Sequence, residues 1–389
     1  MNILFVGMYP DEHNKYRNVF FQNLIFGMAD AGVNCTVISP VPVTKYRKAI
    51  SKVSKERIDI TTKGNKVRVI HPRYISLSSK KIGPIRTGVL SERLFEYAVR
   101  KVVQRLKDNY DAVYGHFIVA GGLSAIQIGN IKKIPSFIAY GECSYETEVV
   151  QRLGELSKED INGLSGIIAV STNNAKILKS KQVFDGIPMI IAPNSVDMSL
   201  FYIRDKAKCR EELGLPQDKF IVGFVGGFID RKGDKRLLEA VNGIDGVYVA
   251  FAGKGDNPPA GEKVLFCKAL EHEQVPVFLN AIDVFCLPTQ NEGSCNAIVE
   301  AASCGIPIIS SDLPFNDDLL TNENSIRIDP NSVEEIRNGI IKLYNDRQLK
   351  EYLSKSIRRD SKDFSIENRC TKIINFILEQ KSVYLNKKN

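Results

Sequence analysis

Short apolar runs rich in Val, Ile and Phe alternate with longer amphipathic stretches along the chain, and this alternation constrains the fold most. Apolar runs without a strict polar alternation are typical of strands covered on both faces, and the amphipathic stretches between them indicate βα units in a parallel sheet. The strand candidates form two sets, which are separated near Val196–Lys206. The sequence therefore predicts two doubly wound, Rossmann-like α/β domains over residues 1–198 and 199–366. A C-terminal helix within 367–389 is expected to pack back toward the first domain.

The strand candidates end in short polar loops. Because ligands of open parallel sheets bind beside the carboxyl ends of the strands, we expect the two sheets to face each other across a central cleft that takes two substrates. The candidates are residues 2–7, 35–40, 66–71, 111–116, 136–141, 166–171 and 189–193 in the first domain and residues 220–226, 247–253, 264–267, 284–288, 306–310 and 325–328 in the second.

Composition excludes several classes of protein. Apolar residues make up 43% and charged residues 25% of the 389 residues, a balance typical of a globular chain and not of a disordered one. No apolar run approaches the roughly 20 residues of a transmembrane helix, and Met1–Gly7 is expected to form a strand and not a signal peptide. The eight cysteines form no CxxC pair and no cluster with histidine. Free thiols in a reducing cytoplasm are therefore expected, without a zinc site or a disulfide framework.

Positive charge is concentrated in the first half of the chain. Residues 1–197 hold 27 Lys and Arg against 17 Asp and Glu, whereas the remaining residues hold 26 against 28. The span 45–107 alone holds 18 basic and 4 acidic residues. Such an excess attracts an anionic partner, so the candidates are nucleic acid, an anionic membrane surface and a phosphorylated acceptor. The alternative is a solvated face that only increases solubility.

The densest motif lies between Pro288 and Pro307, where a strand candidate precedes a polar loop and a helix expected to begin near Ser294. Amide N–H groups at a helix start bind phosphate or sugar oxygens. Glu292 precedes the helix, and Glu300 projects from a similar face two turns further on. A carboxylate at Glu300 can accept hydrogen bonds from two vicinal ribose hydroxyls, and a charge on so apolar a helix needs a partner. The alternative is an ordinary surface glutamate.

This motif resembles the signature of the family 4 retaining glycosyltransferases of GT-B architecture, because Glu292-x7-Glu300 is followed by Ala-Ala-x-Cys-Gly-Ile-Pro. Four further segments resemble motifs of that family in the same order, so the resemblance covers most of the chain. They are the acceptor-side loop and first helix (Tyr9–Gln22), the P-N-G-V-D-x-x-x-F segment at the domain junction (Pro193–Asp197 with Phe201), the phosphate-binding strand–loop–helix (Phe224–Gly233) and the G-x-G turn (Phe251–Asp256).

The resemblance implies a set of donor-site residues. Arg231 and Lys232, in a turn at a strand end, are expected to neutralise the β-phosphate of the departing nucleotide diphosphate, with Glu292 as a further catalytic residue. The family often carries an arginine where this chain has Gly227, so the missing guanidinium is assigned to Arg231, and its division of work with Lys232 stays open. The alternative is a solvated basic turn. The expected donor-binding residues are Gly226, Gly227, Lys254, Gly293, Ser294, Cys295, Asn296 and Glu300.

The acceptor-side candidates lie in the first half of the chain. His116 ends a strand candidate, where it could bind an acceptor hydroxyl or the donor sugar, or serve as a buried, hydrogen-bonded structural histidine. Near Tyr140, many relatives carry a histidine before the glycine, so Tyr140 or Glu142 is expected to do some of that work. The first loop lacks the Gly-Gly pair common in the family, and this leaves Arg17 and Asn18 to approach phosphates or the acceptor.

The resemblance implies an enzyme that moves a sugar from a nucleotide diphosphate donor, expected to be a UDP-sugar, to a hydroxyl of a lipid-linked or growing polysaccharide with retention of configuration. The pathways expected are O-antigen, capsule or exopolysaccharide synthesis. No cofactor and no metal are implied, and no DxD-like acidic pair stands at a convincing strand end. The basic span 45–107 is expected to contact an anionic membrane, which predicts a cytoplasmic protein peripheral to the inner face of the cell membrane.

Other functions are compatible with parts of the sequence. A sugar-nucleotide epimerase could use the same scaffold and would convert a UDP-sugar without an acceptor, whereas a phosphorylase would need a pyridoxal lysine and a much longer chain. The basic span suggests a nucleic-acid-binding protein. Against that function, the second half of the chain is slightly acidic and basic motifs rich in aromatic residues are lacking, so no nucleic-acid partner is expected.

Overall fold

The computed structural model of the protein describes residues 1–15, 17–77, 81–83 and 85–387. Its contacts divide the chain into two compact units: the first unit contains Met1–Pro193 and Glu367–Asn389, and the second contains Asn194–Ile366. Within the described ranges, no helix combines the length and the apolar character needed to cross a membrane.

The junction between the units lies slightly earlier than the predicted boundary at residue 198. Asn194 donates from its backbone N–H to Ser294 Oγ at 3.1 Å and from its side-chain amide to the Ser294 carbonyl at 3.0 Å. Val196 forms a β-bridge with Ser365. Because these bonds connect it to the second unit, the segment from Asn194 onward belongs there and not to the first unit.

The first unit is built on an eight-stranded sheet. Its strands are β1 (Asn2–Val6), β2 (Asn34–Ile38), β3 (Glu56–Ile60), β4 (Lys66–Ile70), β5 (Ala112–His116), β6 (Ser136–Tyr140), β7 (Leu164–Ala169) and β8 (Met189–Ile191). The strand order is β8-β7-β6-β5-β1-β2-β4-β3, and β3 alone runs antiparallel to its neighbour. The order reverses between β1 and β5, so the loops after these two strands meet at a topological switch point.

Helices cover both faces of this sheet, as the predicted βα units require. The helices are α1 (Val19–Asp30), α2 (Thr87–Val103), α3 (Leu123–Lys132) and α4 (Thr172–Lys179), with short helical turns at Val43–Tyr46 and Gln151–Leu153. Two pairs of two-residue strands lie outside the sheet: Val41–Pro42 with Arg73–Tyr74, and Lys81–Ile82 with Ile85–Arg86.

The C-terminal helix, Ile366–Asn386, packs on the first sheet. The ring of Phe376 contacts that of Phe137 with centroids 5.8 Å apart, and Cys370 is fully buried. Lys381 forms an ion pair with Asp111 at 2.5 Å. These contacts place the helix in the first unit; residues 388 and 389 of the predicted terminal segment lie outside the described residues.

The second unit contains a six-stranded, wholly parallel sheet. Its strands are β9 (Phe220–Val225), β10 (Val247–Ala252), β11 (Val264–Lys268), β12 (Val284–Leu287), β13 (Ile308–Ser311) and β14 (Ile326–Ile328). The strand order is β11-β10-β9-β12-β13-β14. Its helices are α5 (Lys206–Leu213), α6 (Asp234–Asn242), α7 (Val275–Ala281), α8 (Asn296–Ser303), α9 (Val333–Asn345) and α10 (Arg347–Asp360). The strand order reverses between β9 and β12. Two doubly wound parallel-sheet units confirm the predicted α/β class.

A strained loop follows β5 in the first unit. Phe117 (φ 66°, ψ 153°) and Ala120 (φ 69°, ψ 12°) adopt positive φ values that non-glycine residues rarely take. Two buried carboxylates hold this loop: Glu142 accepts a hydrogen bond from the Ile118 N–H at 2.6 Å, and Glu92 on α2 accepts one from the Ala120 N–H at 2.7 Å. Burial raises the pKa of Glu142 to about 8 and that of Glu92 to about 7.

The raised pKa of Glu142 predicts a pH-dependent stability. The folded protein holds a proton that the unfolded chain releases, so the free energy of unfolding should fall as the pH rises from 4.5 to about 8. The side chain of Glu142→Gln does not titrate, so the free energy of unfolding of this variant should change less with pH. Urea unfolding at a series of pH values measures this difference, with the exposed Glu159→Gln as the control. A Glu142→Gln profile parallel to that of the wild type would contradict the prediction.

Candidate functional site

Two loops of the second unit meet at the switch point of its sheet. Gly226–Gly233 follows β9, and Pro288–Cys295 follows β12. The Gln290 N–H donates a hydrogen bond to the Arg231 carbonyl oxygen at 2.9 Å, which joins the two loops. Ligands of open α/β sheets bind at this position. The candidate site of the second unit is therefore the surface that these loops form.

Glu292 binds both cations that the sequence singled out. Its Oε1 atom lies 2.9 Å from Arg231 Nη1 and 2.6 Å from Lys232 Nζ, and it accepts a further hydrogen bond from Thr289 Oγ1 at 2.8 Å. The Arg231 guanidinium also donates to the Asn291 carbonyl. One carboxylate neutralises one of two positive charges, so the cluster of Glu292, Arg231 and Lys232 keeps a net positive charge.

Lys232 is charged in this environment. Burial disfavours the ammonium form, but the neighbouring Cys295 and Glu292 outweigh burial and hold the pKa of Lys232 above its usual value. Its side chain is 16% exposed, and that of Glu292 is 10% exposed. An ion pair with so little contact with water is weakly screened, so the positive charge acts strongly on a ligand placed beside it.

The glycines after β9 leave room beside this cluster. The Gly226 N–H donates to the Ala252 carbonyl at 3.0 Å, and the Phe228 N–H donates to the Lys254 carbonyl at 2.9 Å, so the ends of β9 and β10 are connected. A Cβ atom at Gly227 would find the Lys254 carbonyl oxygen 3.9 Å away as its nearest neighbour among the described residues. There is therefore space at Gly227, the position to which the family resemblance assigns an arginine, and Lys254 beside it is exposed.

Residues of the loop before α8 that were predicted to bind the donor are partly used for contacts within the protein. The helix begins at Asn296, with Cys295 as N-cap, slightly later than the start predicted near Ser294. Ser294 uses its hydroxyl and carbonyl to hold Asn194, and Gly293 is buried. Burial raises the pKa of the Cys295 thiol to about 12. The side-chain Oδ1 atom of Asn296 is buried and has no hydrogen-bond partner within the described ranges, which leaves an acceptor to be satisfied.

Glu300 is a partly buried carboxylate on α8. Its side chain makes no hydrogen bond or ion pair with the residues that the structure describes, although the sequence reasoning expected a partner for it. Burial raises its pKa to about 7. A carboxylate that is desolvated without a protein partner is suited to accept hydrogen bonds from a ligand.

Among the acceptor-side candidates, His116 is buried. The residue is 2% exposed, and its ring stacks on that of Phe21 with centroids 4.3 Å apart. The ring of Phe117 contacts it edge-on with centroids 4.5 Å apart. Neither ring nitrogen has a hydrogen-bond partner in the described part of the chain, and burial lowers the pKa to about 3. The imidazole is therefore neutral at physiological pH and packed among aromatic rings, and it lacks the hydrogen bond expected of a structural histidine as far as the described residues extend.

Of the remaining acceptor-side candidates, three are held within the fold and one lines a cavity. Asn18 adopts a left-handed conformation (φ 50°) before α1 and donates its side-chain amide to the Met8 carbonyl at 3.1 Å. Tyr140 is fully buried, which raises the pKa of its hydroxyl, and Glu142 holds the loop after β5. Arg17 lines a cavity.

Three residues from separate segments of the first unit share this cavity with Arg17: Lys45, Glu92 and Arg152. Sequence reasoning missed Glu92 and Arg152, and it assigned Lys45 only to the basic span 45–107. No local pattern joins such distant positions; the only signal is Glu92, a carboxylate on the apolar face of an amphipathic helix. The sequence also did not single out Thr289, although a hydroxyl three residues before Glu292 could have suggested it.

Parts of the basic span 45–107 are bonded within the protein. Arg57 pairs with Glu12 and Asp59, and Arg68 pairs with Glu56 and Asp108. These two arginines therefore have acidic partners within the protein. Lys80 lies outside the described residues. The described residues contain no group of three or more His, Cys, Asp or Glu placed to hold a metal ion.

Comparisons with known proteins connect this site to a class of enzyme. The sequence model of the family described as Glycosyl transferases group 1 matches residues 205–360, which hold the cluster of Glu292, Arg231 and Lys232. TuaC of Bacillus subtilis (strain 168), named as a glycosyltransferase of teichuronic acid biosynthesis, is 23% identical over 361 residues, 90% of each chain. An Escherichia coli UDP-Gal:alpha-D-GlcNAc-diphosphoundecaprenol alpha-1,3-galactosyltransferase is 27% identical over 227 residues, 53% of this chain and 58% of that protein.

Solved structures with the same fold extend over nearly the whole chain. Sucrose-phosphate synthase from Thermosynechococcus elongatus superposes with a TM-score of 0.74 at 18% identity and covers 98% of this chain and 99% of its own. Together with the family match, this similarity confirms the predicted GT-B fold class. The chain thus has the GT-B fold and glycosyltransferase homologues, and residues 205–360 are a domain of the glycosyl transferases group 1 type.

Proposed function

We propose that the protein is a retaining glycosyltransferase that moves a sugar from a UDP-sugar to a hydroxyl of a lipid-linked or growing polysaccharide. The observation that carries this proposal is the pair of cations on Glu292 at the switch point of the group 1 domain. The names of the relatives support the substrates: one is assigned to teichuronic acid biosynthesis, and another uses UDP-Gal with a diphosphoundecaprenol-linked acceptor. The pathways that would use such a reaction are O-antigen, capsule and exopolysaccharide synthesis.

The reaction needs positively charged groups that stabilise the negative charge of the leaving group. When the bond between the sugar's anomeric carbon and the β-phosphate oxygen breaks, charge grows on the departing UDP, where Arg231 and Lys232 would stabilise it. The acceptor hydroxyl forms the new bond on the same face and gives its proton to the leaving phosphate oxygen. Glu292 keeps the two cations in place in the absence of substrate, so little reorganisation is needed.

Two further features fit the donor. Glu300, which has no protein partner in the described part of the chain, would accept hydrogen bonds from the ribose hydroxyls of UDP. The space at Gly227, next to Gly226, would take the phosphates. We propose that no metal ion and no cofactor take part, because Arg231 and Lys232 supply the positive charge that a divalent cation provides in other transferases.

The first unit has the features of a surface for an anionic membrane. Lys45, Arg47, Lys48, Lys52 and Lys55 are exposed and have no ion pair with the described residues. In a neighbouring groove of about 710 Å³, the exposed apolar side chains of Ile75 and Tyr97 lie with Lys101 and Arg105. Cations beside exposed apolar groups suit a bilayer interface. We therefore propose a peripheral protein at the cytoplasmic face of the cell membrane.

Replacement of Lys232 tests the leaving-group role. Lys232→Met keeps the buried stem and removes the charge, so kcat should fall by about 10²–10³-fold, as for other transition-state donors, with a smaller change in donor KM. Lys235→Met, at an exposed lysine of the next helix, should retain wild-type kinetics. Equal kcat values for wild type and Lys232→Met would exclude the role.

EDTA should leave wild-type activity unchanged; activity lost in EDTA and restored by Mg²⁺ would contradict the metal-free mechanism.

Replacement of Glu300 tests the ribose contact. Glu300→Gln should weaken UDP binding by about 1.5–3 kcal/mol, the range for hydrogen bonds to a charged group. In the wild type the UDP affinity, relative to that of Glu300→Gln, should rise as the pH passes upward through about 7, because the ionised carboxylate is the better acceptor. Calorimetry of wild type, Glu300→Gln and the exposed control Glu239→Gln measures both effects. Equal affinities at every pH would remove Glu300 from the site.

Charge reversal tests the membrane surface. Wild type should bind vesicles that contain phosphatidylglycerol, with an affinity that falls steeply as salt rises, since charges are screened within about 8 Å at physiological ionic strength. Changing Arg47, Lys48 and Lys52 to Glu should abolish sedimentation with these vesicles but leave transfer to a short soluble acceptor intact. The control changes Lys208, Lys342 and Lys355 of the second unit to Glu. Equal vesicle binding by all three proteins would reduce the basic span to a solvated face.

A further inference from the structure

A cavity of about 220 Å³ in the first unit carries basic side chains from three separate segments. Arg17 comes from the loop before α1, Lys45 from the short helical turn at Val43–Tyr46, and Arg152 from that at Gln151–Leu153. Tyr74, Ser76 and Glu92 are also among the lining residues. Three cations that line one small cavity repel one another, and a bound anion would relieve this repulsion.

Arg17, Lys45 and Arg152 form no ion pair with the residues that the structure describes. The charge of Arg152 nevertheless acts on Glu92, where it opposes the rise in pKa that burial causes. The Nε atom of Arg152 is buried without a hydrogen-bond partner among the described residues. Glu92, the single carboxylate among the lining residues, accepts its hydrogen bond from the Ala120 N–H. Hydrogen-bonding capacity and positive charge are therefore left for a ligand.

The structure also orients one of the guanidinium groups. Arg17 Nη1 donates to Tyr46 Oη at 3.3 Å, and Tyr46 Oη donates to Asp11 at 2.6 Å, so a chain of hydrogen bonds outside the cavity holds the Arg17 side chain. A planar guanidinium presents paired N–H donors that match the oxygens of a phosphate. A position fixed in advance lowers the entropic cost of binding such a ligand.

We propose that this cavity binds a phosphoryl group. Its volume is below the roughly 300 Å³ of pockets that enclose whole small molecules, so it fits one charged group and not a sugar nucleotide. A phosphate dianion matches an excess of cations better than a single carboxylate does. On the basis of the proposed function, the bound group belongs to a phosphorylated acceptor, whose phosphate would be held by Arg17, Lys45 and Arg152.

Binding of inorganic phosphate and pyrophosphate to the full chain tests the site without any transfer reaction. Calorimetry is carried out with saturating UDP and repeated on Lys232→Met, so that phosphate binding at the second unit does not contribute. Arg152→Gln and Lys45→Gln should each weaken binding about tenfold or more, whereas Arg93→Gln, an exposed arginine on α2 outside the cavity, should change it less than about twofold. The Lys45 side chain is exposed and makes no bond with the residues that the structure describes, so its variant reports on binding and not on folding.

The outcomes separate this proposal from the proposed function. Unchanged phosphate affinity in Arg152→Gln and Lys45→Gln, or an equal loss in Arg93→Gln, would overturn the phosphoryl site even if transfer activity is found. In the presence of activity, Arg152→Gln should raise KM about tenfold for a phosphorylated acceptor but not for its dephosphorylated form. Phosphate binding that depends on Arg152, with equal KM changes for both acceptors, would overturn the assignment to the acceptor and indicate a site for free phosphate.

Discussion

The Oε1 atom of Glu292 is the point on which the arrangement of the second unit's site depends. Arg231 and Lys232 are adjacent in sequence and only partly exposed to water. Without a shared counter-ion, their positive charges would repel each other. By binding both cations, Glu292 also connects the turn after β9 to the loop after β12. A departing phosphate would find the cations already positioned. The interaction thus serves local stability and would serve catalysis with the same atoms.

Much of the fold could be predicted from the sequence, because strands buried on both faces are visible as apolar runs. β9 and β10 are examples, and their predicted limits differ from the observed ones by about a residue. β3 was missed for the opposite reason. In Glu56–Ile60 charged and apolar residues alternate, Ile58 and Ile60 point to solvent at the sheet edge, and Arg57 and Asp59 bond to each other. An edge strand of this kind has no apolar run to find.

The candidate site could be predicted where its residues are close in sequence. Glu292, Ser294 and Glu300 share one strand–loop–helix segment, so their neighbourhood followed from spacing. In the first unit the spacing was less informative: the burial of His116 depends on Phe21, which reaches it from another element. The cavity around Arg152 likewise collects residues more than a hundred positions apart. Only tertiary packing brings such side chains together, and single-sequence patterns do not record it.

The division of the chain into a discontinuous first unit and a continuous second one has a consequence for biosynthesis. Val196 and Ser365 are bridged at the two points where the chain enters and leaves the second unit. All residues of that unit have therefore emerged from the ribosome before the C-terminal helix, which completes the first unit through Phe376 and Lys381. The unit that begins first is finished last, and until then the apolar surface of its sheet that Phe376 covers stays exposed to other chains.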